Sequence, residues 1–287
     1  MNMLKTTVLM ALLMGILIAV GGAFAGRSGA MLMLFISLAI NFGTYWFSDS
    51  IVLKTYGARE VTEQDAPELY NLVANLAANA GLPMPKVCII NSGVPNAFAT
   101  GRNPSHAAVA VTTGLMEVLD YEEIGGVLAH ELSHVKHRDT LISCVAAAMA
   151  GIISMIANIA QWAAIFGGRS NDDDNGGPLG LIVTIIVAPL AAALIQMAIS
   201  RSREYEADKS GGEICGNPNA LADALEKIEY YSLHGSVLPH ATASTAHMCI
   251  INPLSGSKKQ FINLFSTHPP TEERIAKLRQ QALAMGK

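Results

Sequence analysis

Charged residues are scarce in this chain. They make up 15% of its 287 residues, where ordinary soluble domains carry about 25%. The net charge is -4, so no basic excess points to a nucleic-acid partner. Cysteine is sparse as well. Cys88, Cys144, Cys215 and Cys249 lie far apart and form no CxxC pair, which argues against a disulfide framework and against a cysteine-based zinc site. No internal repeat is present. What the chain does have is apolar surface: 51% of its residues are hydrophobic and its mean hydropathy is +0.35, both pointing toward a membrane.

That apolar content is gathered into four runs, residues 6–25, 30–48, 141–166 and 179–200. Each approaches or exceeds the ~20 residues a spanning helix needs. A short Gly26-Arg27-Ser28-Gly29 break separates the first two, which reads as a helical hairpin. Tyr45, Trp46 and Phe47 close the second run like an interfacial aromatic belt. Lys5 followed by an apolar stretch and Ala23-Phe24-Ala25 also fits a secretory signal, but the immediate second run favours the hairpin. For the third and fourth runs, Pro189 and Gln196 leave a buried hairpin within a soluble domain as the alternative to spanning.

Flanking charges set an orientation. Lys5, Lys54, Arg59, Lys136, Arg138, Arg201 and Arg203 fall on one side, and Arg27 and Arg169 on the other. Lys and Arg collect on the cytoplasmic side, so both termini and most of the polar sequence are expected there. The loop 167–178, with Asp172, Asp173 and Asp174, is expected outside and flexible.

The polar segments read as helices and short strands. Residues 62–80 predict a helix capped by Thr62 and stopped by Gly81 and Pro83. Strands are expected at 86–90, 96–100 and 107–113, with a turn at 101–105. Asp120 and Glu123 form a capping-box pattern that opens the next helix. A further helix is expected from Pro218, an irregular stretch over 235–257, and a last helix after Pro269-Pro270 with Glu272 and Glu273 in its first turn.

The helix that begins at Asp120 carries HELSHVKHRD, residues 130–139. His130 and His134, four apart, share one helix face a turn apart. Two imidazole nitrogens at that spacing can meet one zinc ion, and H-E-x-x-H on a helix is the zinc metalloprotease signature. Glu131 points past the metal and is placed to hold a water. Such a short pattern also occurs by chance on ordinary helix surfaces. A third ligand has three candidates. His137 lies about 10.5 Å along the axis from His130, too far for three side chains of one straight helix to converge. Thr140 and His137 stand where the extended pattern H-E-x-x-H-x-x-G-x-x-H needs histidine and glycine, which excludes that class. Glu204, in SREYEAD, follows the fourth run directly, so a spanning hairpin returns it to the surface that the HELSH helix leaves. The bland alternative pairs it with Arg201 or Arg203. Asp208, four residues on, can accept a hydrogen bond from a ligand imidazole, while Glu206 points elsewhere. His268, in THPPTEERI, is not constrained by spacing and stays open as ligand, transition-state donor or helix-entry residue.

HELSHVKHRD, a hydrophobic hairpin, SREYEAD and THPPTEERI in that order, with NAFATG at 96–101, resemble the HtpX-type membrane zinc metalloproteases, in the wider family that includes the CaaX prenyl proteases. The likeness covers nearly the whole chain. It implies one zinc per chain on His130, His134 and Glu204, Glu131 as catalytic carboxylate, and a stress-response enzyme of the inner (cytoplasmic) membrane that degrades damaged membrane proteins and cleaves itself. Its partners are then unfolded polypeptides, membrane proteins and the lipid bilayer. Asn96 is placed to help hold substrate along an exposed strand edge. The expected fold is mainly α with a small β-sheet: four membrane helices and a cytoplasmic zincin-like catalytic domain. Its parts are an N-terminal transmembrane hairpin (1–50), the first catalytic segment (51–140), a second hydrophobic hairpin (141–200) and the second catalytic segment (201–287).

Three other functions fit less well. A silent scaffold or chaperone with a structural zinc differs by lacking chelator-sensitive proteolysis. A transporter is disfavoured because no charge interrupts any run. A prenyl protease with seven runs would offer a large membrane chamber, which four runs do not.

Overall fold

The computed structural model describes residues 2–146, 201–234 and 269–287. Most of the third run, all of the fourth, the loop 167–178, the stretch 235–257 and His268 lie outside the described residues.

The first two apolar runs form one helical hairpin, α1 (Asn2–Thr55), which reverses at Ala25 and Gly26. The reversal falls at the start of the expected break, because Gly26 takes φ 58° and ψ -143°, a conformation that costs a side-chain-bearing residue dearly. Asn41 Nδ2 donates to the carbonyl of Met10 at 3.2 Å, across the two arms. Near the turn Gly21 and Gly29 lie so close that a Cβ on either would run into the other's carbonyl oxygen. The second arm contains Ala25–Phe47, 23 residues of mean hydropathy 1.6 that are only 17% buried. Among the described residues it is the one helix long and apolar enough to cross a membrane; the first arm's apolar stretch, Thr6–Ala19, is shorter, and the expected spans over 141–166 and 179–200 lie mostly or wholly outside the described residues.

A four-stranded sheet follows, built from β1 (Arg59–Glu60), β2 (Lys86–Ile90), β3 (Ala97–Gly101) and β4 (Ala107–Thr112). Its order is β1-β2-β4-β3. β2 runs parallel to β4, and β3 antiparallel to it, so β3 is an edge strand. Period-two alternation sends Val87, Ala97, Ala99, Val109 and Val111 to the main core. Cys88, Ile90, Phe98 and Ala110 face the other way, against Val52, Tyr56 and Cys144.

Helix α2 (Pro67–Ala80) covers the main core. It begins four residues later than a cap at Thr62 predicts, with Ala66 in the cap position. Thr62 and Asp65 instead close a turn of their own, with Asp65 Oδ2 accepting from Thr62 N–H at 2.9 Å and from its hydroxyl at 2.8 Å. Pro67 then starts the helix, since its ring suits the first helical position and holds Ala66 out of the helical region. Gly81 ends it in the left-handed conformation, φ 69°. After the short α3 (Thr113–Val118), α4 (Tyr121–Lys136) opens with the expected capping box of Asp120 and Glu123. His137 and Arg138 interrupt the helix, Arg138 at φ 58°, a backbone state uncommon outside glycine. Helix resumes at 139 and is described to 146. Its Leu141, Ile142, Val145 and Ala146 pack on Leu13 and Leu17 of α1, so the third run starts against the first hairpin.

Three helices complete the described fold: α5 (Arg201–Cys215), α6 (Pro218–His234) and α7 (Thr271–Ala284). Leu221, Leu225, Ile228 and Leu278 join Val127, Leu128 and Leu132 of α4 in the main core. Gly126 permits the close approach of α6, since a Cβ there would lie 2.7 Å from the Leu221 nitrogen. The architecture is mainly helical with a small mixed sheet, and α4 runs through its centre.

Candidate metal centre

The capping box fixes the start of α4, and its apolar face (Val127, Leu128, Leu132, Val135) is buried in the main core. That locks the rotation of the helix and turns His130 and His134 to one side, toward α5. Their Nε2 atoms lie 3.3 Å apart. Glu204 of α5 brings Oε2 to 3.8 Å from His130 Nε2 and Oε1 to 3.7 Å from His134 Nε2. The three donor atoms all fall within 4.8 Å of one another.

The other ring nitrogens face carboxylates. His130 Nδ1 is 2.9 Å from Asp208 Oδ1, at ion-pair distance although the N–H is bent off the line to that oxygen. His134 Nδ1 is 3.2 Å from Asp139 Oδ2. A carboxylate beside Nδ1 keeps the proton there and leaves the lone pair on Nε2. Two such lone pairs and a carboxylate, all aimed at one point, repel each other unless a positive species sits between them. Two ligands at ~2.05 Å from a tetrahedral zinc would lie about 3.3 Å apart, which matches the histidine pair. The donor set therefore fits a divalent metal. Burial opposes a charge on His134, but the Asp139 hydrogen bond and the carboxylates of Glu204 and Glu131 outweigh it and raise its pKa to about 9. Surroundings that favour a proton so strongly also favour a metal cation.

Glu131 stands beside the group without joining it. Its Oε2 accepts from the backbone N–H of Ala99 on β3 at 2.8 Å. Burial pushes its carboxyl pKa up, against the lowering pull of His130, His134 and the Ala99 hydrogen bond.

Helix α5 presents Glu204, Asp208 and Gly211 to α4 on one stripe, spaced four and three residues apart. Gly211 sets how close that stripe can come. A Cβ at 211 would lie 2.9 Å from both the Cα and the N of His130, backbone atoms that cannot move aside. Gly211→Ala should force α5 off α4 by overpacking, lower stability by about 1–3 kcal/mol and cost bound metal. Melting temperature and metal content check this. Gly125→Ala, on α4, is the control, since its Cβ would meet only Leu72 Cδ1 at 3.5 Å.

Asp208 is held in turn by Arg274 of α7, which donates through Nε at 2.8 Å and through a terminal nitrogen at 2.7 Å. Both side chains are buried. Burial works against the Asp208 charge, but the Arg274 guanidinium and the His130 contact hold its carboxyl well below the usual carboxylate range. Asp139 is braced more loosely, with Arg203 at 3.5 Å.

The structure thus brings together His130, Glu131, His134, Glu204 and Asp208. Arg203 turns to Asp139, and Glu206 is exposed. His137 lies outside the group, with Nδ1 3.2 Å from Ser133 Oγ. Asn96 is buried where the β3 edge begins and exchanges bonds with Thr112, its N–H donating to the hydroxyl and its carbonyl accepting from the backbone N–H, each at 2.9 Å. Sequence reasoning did not reach Asp139, Ala99, Gly211 or Arg274. Asp139 stands inside the quoted motif, but only the left-handed turn at Arg138 swings it back onto His134. Arg274 sits in an otherwise ordinary charged helix start. Neither leaves a local signal.

Known proteins support the same reading. Peptidase family M48 matches this chain over residues 63–282. A "Protease HtpX homolog" of Syntrophobacter fumaroxidans is 54% identical over 278 residues, covering 96% of this chain and 98% of that protein. Similar proteins of the same description occur in Pyrococcus furiosus, 52% identical over 282 residues with 98% and 96% covered, and in Ralstonia pickettii, 53% identical over 285 residues with 98% and 97% covered. Among solved structures, S. mikatae Ste24p shares the fold at a TM-score of 0.51 and 19% identity; the match covers 95% of this chain and 62% of that longer one. With the family match spanning most of its length and relatives of more than half identity along nearly all of it, the chain belongs to peptidase family M48 and is a metalloprotease of the HtpX type.

Proposed function

We propose that this protein is a zinc-dependent endopeptidase of the cytoplasmic membrane. Its site faces the cytoplasm and hydrolyses peptide bonds in damaged or misfolded membrane proteins, with self-cleavage as a side activity. The observation that carries this is the meeting of two imidazole Nε2 atoms 3.3 Å apart with the Glu204 carboxylate, while each Nδ1 faces a carboxylate of its own.

His130, His134 and Glu204 would hold the ion. When bound, zinc supplies a Lewis acid for the scissile carbonyl and makes a water acidic near neutral pH. The chain's own groups do the rest. Glu131 takes a proton from the attacking water and passes it to the leaving amine, and its raised pKa suits a carboxyl that must hold a proton in between. The Ala99 N–H fixes one of its oxygens, so Glu131 presents the other. Asp208 and Asp139 keep the two imidazoles oriented.

The substrate backbone has a natural partner in β3. Asn96 lies opposite Thr112 and pairs with it, so by antiparallel alternation Ala97, Ala99 and Gly101 turn their backbone groups away from β4. An extended chain added along this edge would run beside Glu131. The division into an N-terminal membrane hairpin (1–50), two catalytic segments (51–140 and 201–287) and a second membrane hairpin (141–200) belongs to the same proposal. It accounts for residues 141–146 packing on α1 and for α5 arriving next to α4.

Glu204→Ala tests the ligand assignment. The expected outcome is loss of zinc from the purified protein together with loss of chelator-sensitive cleavage of casein. Unchanged zinc content would hand the third position to His268.

A further inference from the structure

The edge strand that lines the candidate site is tied to the membrane hairpin at two heights. At its far end Phe98 packs its ring at a tilt against Tyr56, ring centroids 5.1 Å apart, just past the end of α1. At its near end Arg102 sits over the Trp46 ring, 4.8 Å from its centroid, and donates to the Trp46 carbonyl at 3.1 Å. The two anchors agree in length. Ten residues of helix from Trp46 to Tyr56 rise about 15 Å, and four residues of strand from Phe98 to Arg102 rise about 13 Å. β3 therefore runs alongside the last turns of α1 and shares the axis of the span.

Trp46 is the penultimate residue of the apolar stretch Ala25–Phe47. It is 44% exposed, next to Phe42 at 61% and Phe47 at 56%. An exposed aromatic cluster at the end of a span sits at the headgroup level, and the arginine on the Trp46 ring belongs there too. The β3–β4 turn thus marks the height of the membrane surface. Ala99, whose N–H holds Glu131, lies three residues up the strand, about 10 Å above that level. The membrane-side end of the edge is closed: the Gly101 carbonyl, which turns away from β4, is taken by the Thr140 hydroxyl at 2.9 Å. A paired substrate cannot slide past it toward the bilayer.

We propose that this is a juxtamembrane peptidase with a built-in ruler. The Arg102–Trp46 contact holds β3 upright on the membrane, so the bond presented to Glu131 lies about three to six residues beyond the boundary of the substrate's own span. The substrates are membrane proteins whose polypeptide leaves the bilayer unfolded; folded juxtamembrane helices and distant loops are poor ones. This deepens the reading under Proposed function and rests on it.

The test uses a single-span substrate with a long unstructured tail of one repeated sequence, so that every distance from the membrane offers the same bonds. Substrate and zinc-loaded full-length protein are reconstituted together in vesicles of phosphatidylethanolamine and phosphatidylglycerol, and cut sites are mapped by mass spectrometry. Cuts within about six residues of the boundary should exceed those about twenty residues away by roughly tenfold or more. The Arg102→Ala, Trp46→Ala double variant should still cleave soluble casein while spreading its cuts along the tail. Evenly spread cuts by the parent overturn the ruler alone, provided casein is cleaved. A double variant that keeps the narrow band overturns the role of the Arg102–Trp46 pair. Failure of the parent to cleave either substrate overturns the peptidase reading, and the ruler with it.

Discussion

Glu131→Gln is expected to keep its metal and to lose about 100- to 10,000-fold in the rate of peptide hydrolysis. Glutamine has the same shape, and its carbonyl can still accept the Ala99 N–H that Glu131 accepts at 2.8 Å. The three atoms placed to hold an ion belong to His130, His134 and Glu204, so none of them is altered. What disappears is the ability to take up a proton. Metal content by elemental analysis and casein cleavage, measured on the same preparation, separate the two effects. Parent-level cleavage by this variant would mean that another group serves as the base.

Arg274→Met is expected to produce the largest loss of stability among single substitutions away from the donor set. Asp208 is buried beneath α7 and takes two hydrogen bonds from Arg274. Removing the arginine leaves a buried carboxylate without its countercharge, a change that costs about 3–5 kcal/mol. The Asp208→Asn, Arg274→Met double variant removes both charges of this pair and should recover most of that loss. Melting in detergent measures both. The pH dependence has a definite sign. In the parent, Asp208 has a depressed pKa, so its stabilising effect is present above the unfolded value of about 3.9 and is lost only as pH falls through the lower folded value. In Arg274→Met the buried carboxyl is raised instead, so its penalty is absent in acid and grows as pH rises above about 4. Metal retention should fall as well, by about 10- to 100-fold in affinity, because Asp208 no longer has a fixed position beside His130 Nδ1.

The elements that could be read from the chain are those with local signals. The Asp120 and Glu123 box, the left-handed stop at Gly81, the short apolar runs of β2 and β4 and the Pro218 and Pro269-Pro270 helix starts each depend on a few neighbouring residues. The start of α2 shows how one local signal can mask another. Thr62 resembles a cap, but its partner Asp65 closes a separate turn, and Pro67 decides where helical geometry begins. β1, only Arg59 and Glu60 long, was not expected, because two residues carry no period. Of the four apolar runs only the first two lie wholly among the described residues, and there Ala25–Phe47 is long and apolar enough to span while the first arm's apolar stretch is shorter.

Histidine spacing behaves the same way. A separation of four on a helix puts His130 and His134 on one face because the α-helix repeats every 3.6 residues. This requires nothing beyond α4 itself, and the ordered motifs around it were enough to identify a metallopeptidase. The partners of those histidines arrive from helices far along the chain, and their distances depend on how closely two backbones pack. Gly211 against His130, the left-handed Arg138 that turns Asp139 inward, and the buried Arg274 under Asp208 are contacts between remote segments. By itself the sequence determined the helix, the pair of imidazoles on its face and the apolar hairpin ahead of it, since each follows from short-range periodicity. Only the tertiary structure decided which carboxylate faces which ring nitrogen and how the edge strand stands against the span, because those depend on close packing of surfaces that no local pattern records.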